Sequence, residues 1–197
     1  MPYTSEHKQE TRTRIIQSAR RLFNRNGFAD VSIDDIMGEA GLTHGGFYKH
    51  FAAKEDLYHA AVLQFICADQ PESWQARHVD PAAKGAELAR MIVNAYLSRD
   101  HFDDRDGSCP LIALPSDVSR GADSVKAAFR QVMEMMVGAF AANLEPGDAP
   151  ERERALALVA MVVGGMVLAR SVDDDDLAAE LRDSTRKQAF AMSGLEE

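Results

Sequence analysis

The run from Ala155 to Ala169, ALALVAMVVGGMVLA, is apolar on nearly every side and constrains this chain's fold more than any other stretch. It is shorter than the roughly twenty apolar residues that a bilayer-spanning helix needs. It therefore reads as a helix buried in protein on both faces. The chain's own core can cover one face, and a second copy of the chain is the natural cover for the other. Gly164 and Gly165 would allow a close helix approach there, and Leu177, Leu181 and Phe190 offer a matching stripe on the final helix.

The rest of the chain is built to match. Of its 197 residues, 46% are hydrophobic, enough for a sizeable core. The apolar stretches are rich in Ala, Leu and Met with little strand-like alternation, so the expected fold is all-α. A first helix is expected over 8–26, where Ile15, Ile16, Ala19, Leu22 and Phe23 share one face and Gly27 is placed to stop it. Ser32, with Asp35 three residues on, forms a capping-box variant for a second helix, which Gly41 ends. Thr43 is the next cap candidate, opening His44-Gly45-Gly46-Phe47-Tyr48-Lys49-His50-Phe51. Further helices are expected from Lys54 to before Pro71 and over 81–102, 110–118, 122–144, 150–171 and 174–192. Gly107, Pro110, Gly121, Pro146-Gly147 and Pro150 punctuate them, and the acidic run Asp173–Asp176 suits a helix N-terminus.

The net charge of −9 is unevenly spread. The first sixty residues balance eight Lys/Arg against eight Asp/Glu and hold four of the six histidines, so the excess acidity belongs wholly to the remainder. That asymmetry permits an N-terminal module that faces a polyanion. Three short helices with caps at Ser32 and Thr43 and a glycine turn at Gly41 make a helix-turn-helix pattern, whose second helix would enter a DNA major groove. Thr43, His44, Tyr48, Lys49 and His50 would project from it, and none is acidic. A glycine costs about 1 kcal/mol relative to alanine in a helix. Close approach of backbone N–H groups to a phosphate explains the Gly45-Gly46 pair better than packing alone.

These residues carry a resemblance. Arg12, Ile15, Ala19, Leu22-Phe23, Gly27-Phe28, Ser32-Ile33, Ile36, Ala40-Gly41-Leu42-Thr43, Phe47-Tyr48, His50-Phe51 and Lys54-Glu55-Asp56-Leu57 resemble the tetracycline-repressor (TetR) family of bacterial regulators. The resemblance implies an N-terminal helix-turn-helix domain, set at 1–56, and a helical-bundle effector-binding and dimerisation domain, set at 57–197. It implies that Ser32, Thr43, Tyr48, His50 and Lys54 touch phosphates, while His44, Gly45 and Lys49 face base edges. The implied function is a DNA-binding repressor acting as a homodimer through its last two helices on a palindromic, double-stranded operator.

Release is expected when an unidentified small molecule or electrophile engages the C-terminal domain. Trp74, Tyr96, Met133, Met136, Val137, Phe140, Met161 and Met166 are the candidate lining, since methionines suit adaptable apolar pockets. Cys109, just before Pro110, is the candidate redox or electrophile sensor, and Cys67 reads as core. The two cysteines have neither metal-ligand nor disulfide spacing. No cofactor, metal site or membrane partner is expected, and no secretory leader is seen, which points to the cytoplasm. No phosphate loop or catalytic constellation supports an enzyme, and His101 beside Asp103 and Asp104 reads as a solvated acidic loop. The alternative is a helical interaction module that binds no DNA.

Overall fold

Ser32 and Asp35 close the capping box expected of them. The Asp35 N–H donates to Ser32 Oγ at 3.1 Å, and the Ser32 N–H donates to Asp35 Oδ2 at 2.8 Å. The helix they start, α2, runs Ile33–Glu39. The computed structural model describes residues 5–67, 79–80 and 82–194, with the backbone alone for 66 and 67. Before α2 comes α1 (Ser5–Asn26), and after it the short 3₁₀ helix η1 (His44–Lys49) and α3 (Lys54–Cys67). Then follow α4 (Gly85–Tyr96), α5 (Arg99–Asp103), α6 (Pro110–Ala113), α7 (Pro115–Arg120), α8 (Asp123–Ala141), α9 (Glu151–Ala169) and α10 (Asp175–Ser193). The fold is all-helical, with no strand among the described residues.

Two expected helices are divided. The span 81–102 breaks after Tyr96 because Ser98 accepts a hydrogen bond from the His101 N–H at 3.1 Å and so begins α5 afresh. The span 110–118 breaks at Leu114, and Pro115 then takes the first position of α7, where its missing N–H is harmless. At the start of α10, Asp174 Oδ1 accepts from the Leu177 N–H at 2.9 Å, so the acidic run does cap a helix.

The chain packs as two units, Met1–Ala68 with Arg105–Val132, and Asp69–Asp104 with Met133–Glu197. The first buries Ile15, Ala19, Phe23, Ile36, Phe47 and Leu57 almost completely. Its aromatic centre is Tyr58, edge-on to Phe23 at 5.0 Å and stacked on Phe28 at 4.7 Å. Residues 105–120 are tied to α1 and the turn after it. Asn24 Nδ2 donates to the carbonyls of Asp106 and Ser108, Arg25 pairs with Asp106, and the Phe28 N–H donates to Asp117 Oδ2 at 2.9 Å.

In the second unit α9 and α10 pack along their lengths. Gly165 permits this: a Cβ there would lie 2.7 Å from Thr185 Cγ2 and 2.9 Å from Thr185 Cβ. Gly164, its neighbour, faces open space. Arg170 Nη2 donates to the carbonyls of His101 and Asp104. No helix among the described residues is long and apolar enough to cross a membrane.

Candidate nucleic-acid interface

Residues 43–50 fold as a tight turn because Phe47 is pulled wholly into the core while its neighbours are not. Its carbonyl accepts the N–H groups of His50 at 2.9 Å and Phe51 at 3.1 Å. The expected second helix is therefore a six-residue 3₁₀ helix rather than an α-helix. Two adjacent glycines remove the side-chain contacts that favour α-helical turns, and the tighter winding suits a short piece. With Phe47 inward, Thr43, His44, Gly45, Tyr48 and Lys49 are exposed, and Gly46 and His50 are half-buried. Thr43 occupies the N-cap position, yet its side chain makes no capping bond. Tyr48 is 60% exposed, a large value for an aromatic ring, and rests edge-on against Phe47 at 5.2 Å.

Neither backbone geometry nor packing calls for glycine at position 45. Gly27 and Gly41 take positive φ, of 78° and 66°, and so need glycine where the chain turns; Gly45 and Gly46 do not. A Cβ on Gly45 would meet nothing within 4 Å, and one on Gly46 would rest in ordinary contact, 3.4 Å from Met37 Cε. The free space lies outside the fold, above an exposed turn whose backbone is bare.

The charged side chains divide by role. His44 Nδ1 lies 2.7 Å from Asp34 Oδ1, a pairing with α2 that the sequence did not reveal. Arg21 on α1 pairs with Glu39 at 2.7 Å. The Lys54 ammonium donates to the Phe28 carbonyl and sits 4.2 Å from the Phe28 ring centre, and burial pushes its pKa down. Ser32 is equally committed, since its hydroxyl belongs to the capping box. His50 Nδ1 is buried with no hydrogen-bond partner.

Residues 15–61 match the family model for bacterial regulatory proteins of the tetR family. UidR of Escherichia coli K12, an HTH-type transcriptional regulator, is 37% identical over 93 residues, which are 47% of this chain and 44% of UidR. Over residues 15–61 the chain is similar to the tetR family. Its match thus spans less than half the length of UidR. The reduced form of E. coli NemR has a similar fold, with a TM-score of 0.76 at 15% identity, over 95% of this chain and 98% of that one. A TetR-family regulator from Agrobacterium tumefaciens gives 0.75 at 22% identity, over 94% and 98%. Residues 15–61 are thus the helix-turn-helix stretch that matches tetR-family regulators.

The effector candidates fall in both packing units. Cys109 belongs to the first, where it is 1% exposed at the N-cap of α6. Tyr96, Met133, Met136, Val137, Phe140, Met161 and Met166 belong to the second. Val137, Phe140 and Met166 are fully buried, Tyr96 and Met136 nearly so, and Met133 and Met161 partly. Trp74 and the side chain of Cys67 lie outside the described residues.

Two polar groups of the second unit escaped the sequence. His101 is not in a solvated loop; it is 1% exposed, with Nδ1 2.8 Å from the Tyr96 carbonyl and its ring edge-on to Tyr96. Its place three residues after the cap Ser98 was the available signal. Arg182 is also buried, beneath a pKa lowered by desolvation, and its guanidinium lies 4.9 Å from the Phe102 ring centre. Nothing in the pattern around it marked it out. The described residues contain no group of three or more His, Cys, Asp or Glu able to hold a metal.

Proposed function

We propose that this chain is a transcriptional repressor that reads a palindromic operator with Thr43–His50 and releases it when an effector engages the second unit. The observation that carries the reading is the open space over Gly45. A residue that is conformationally unfavourable and unneeded by the fold is accounted for by an outside molecule that must come close. The Gly46 N–H already donates to the Thr43 carbonyl at 2.9 Å, so the Gly45 N–H, bare of a side chain, is the one that suits a phosphate oxygen. Exposed Tyr48, Thr43 and Lys49 supply further donors. His44 would turn from Asp34 toward a base edge.

One turn of this size contacts few base pairs, each worth about 1–3 kcal/mol of discrimination. A two-fold dimer doubles the site, with half-sites about one helical turn apart. Leu156, Leu168, Leu177 and Met192 support such a dimer, for all are large apolar side chains more than 40% exposed. Leu156, Ala160, Gly164, Val167 and Leu168 follow one stripe along α9, and open Gly164 would let a partner helix approach. Phe190 is no part of that stripe, being 4% exposed and packed inside its own chain.

Release requires an effector that prefers the DNA-incompetent state. Moving the populations from 1:99 to 99:1 takes about 5.5 kcal/mol of differential affinity. Selection of bound duplexes from a random pool tests the reading. The expected product is a palindrome with half-sites one turn apart; recovery of no enriched or symmetric sequence would overturn it.

A further inference from the structure

The cations of the first unit are not treated alike. Arg21 meets Glu39, Arg25 meets Asp106 and His44 meets Asp34. Lys8, Arg12 and Lys49 have no carboxylate within ion-pair range among the described residues. Their places in the chain bring them toward His50: Lys8 precedes Arg12 by one turn on the same face of α1, Arg12 lies on the Phe51 ring, and Lys49 adjoins His50. Two come from α1 and one from the last residue of η1. Arg12 is held in place, its guanidinium 4.6 Å from the centre of the Phe51 ring, next in the chain to His50.

His50 registers the crowding. Burial first, then Lys8, Arg12 and Lys49, push its pKa below the ordinary histidine value. Nδ1 is buried with no hydrogen-bond partner, which leaves Nε2 as the ring nitrogen able to meet a ligand, as a donor when it carries the proton. The result is three cations around a neutral imidazole, drawn from two elements and with no anion among them. Such a group repels itself in the free protein, and an arriving anion offsets that repulsion.

We propose that Lys8 and Arg12 of α1 join Lys49 and His50 in a seat for one backbone phosphate of duplex DNA, at the C-terminal end of η1. This rests on the DNA-binding reading above and extends the interface from the turn onto the first helix. The seat positions the protein and reads no bases, so it acts on all sequences equally. Lys8 and Arg12 supply charge, while His50 supplies a hydrogen bond through Nε2.

Salt dependence provides the test. Full-length protein is titrated against a mixed-sequence duplex by fluorescence anisotropy at about 50 and 200 mM salt; each lost phosphate contact shrinks the affinity ratio between them about 3.5-fold. The Lys8→Gln/Arg12→Gln double variant is expected to shrink it by about that factor per protomer bound, and each single variant by part of it. Arg12→Lys, which keeps the charge, and Arg14→Gln, which alters an exposed charge on the same helix, are expected to leave the ratio unchanged. Thermal unfolding of each variant separates lost packing on Phe51 from lost contact. If duplex affinity persists and the double variant keeps the wild-type ratio, the seat is refuted. If the wild-type chain has no salt-sensitive duplex affinity, the underlying reading falls as well.

Discussion

Replacing Gly45 with alanine should make the protein more stable and a worse DNA binder. The two effects have separate origins. Within the fold the new Cβ meets nothing within 4 Å, and the backbone is not in the left-handed region, so the substitution introduces no strain. Fixing an alanine costs less chain entropy than fixing a glycine, which stabilises the folded state by about 0.4–1 kcal/mol. In a chain of this size that raises Tm by roughly 1–4 °C.

On DNA the same methyl group occupies the space that a phosphate is proposed to take. Losing one charge-assisted hydrogen bond costs about 1.5–3 kcal/mol, or roughly tenfold to a hundredfold in affinity for each protomer engaged. Thermal unfolding and anisotropy titration on a selected duplex measure the two quantities on one sample. Stability that rises while affinity falls is the expected pair. An unchanged affinity would refute the reasoning, and so would a loss of affinity that merely follows a loss of stability.

Other perturbations distinguish neighbouring roles. Gly165→Ala places a Cβ 2.7 Å from Thr185 Cγ2 and should destabilise the protomer by about 1–3 kcal/mol in urea unfolding, whereas Gly164→Ala should spare the protomer and weaken the proposed dimer in sedimentation equilibrium. The depressed pKa of His50 means that the folded chain binds fewer protons than the unfolded chain just below the ordinary histidine pKa of 6.5. Its contribution is full above that pH and is lost as pH falls through the folded pKa. The stability gap between wild type and His50→Gln should therefore vary with pH between about 5 and 7, and a constant gap would contradict the assignment. Cys109, 1% exposed, should react slowly with a thiol reagent in a Cys67→Ser background, at a rate set by local opening. Rapid stoichiometric reaction in the native protein would show otherwise.

Local chemistry made much of the fold legible. The Ser32–Asp35 box and the stops at Gly27 and Gly41 depend on hydrogen bonds and φ values that neighbouring residues determine among themselves. Features set by distant partners were not readable. Gly164 and Gly165 are the same residue in the same run, and only the position of Thr185 makes one a packing requirement and leaves the other open. The division at Ser98, the burial of His101 and the sequestering of the Lys54 ammonium by Phe28 likewise follow from contacts that periodicity does not encode. In the candidate interface the exposed residues were legible from their polarity, while the pairing of His44 with Asp34 and the packing of Arg12 on Phe51 depend on tertiary contacts.

The most direct measurement is the response of the Gly45 and Gly46 amides to duplex DNA, read by NMR chemical shift and hydrogen exchange on the intact protein. Both amides should shift as the duplex saturates, ahead of any change in the α9 and α10 amides. The Gly45 amide should also gain protection, while the Gly46 N–H already donates to the Thr43 carbonyl at 2.9 Å. Saturating DNA that leaves these two amides unmoved would contradict the claim that this bare turn is where the protein meets the duplex.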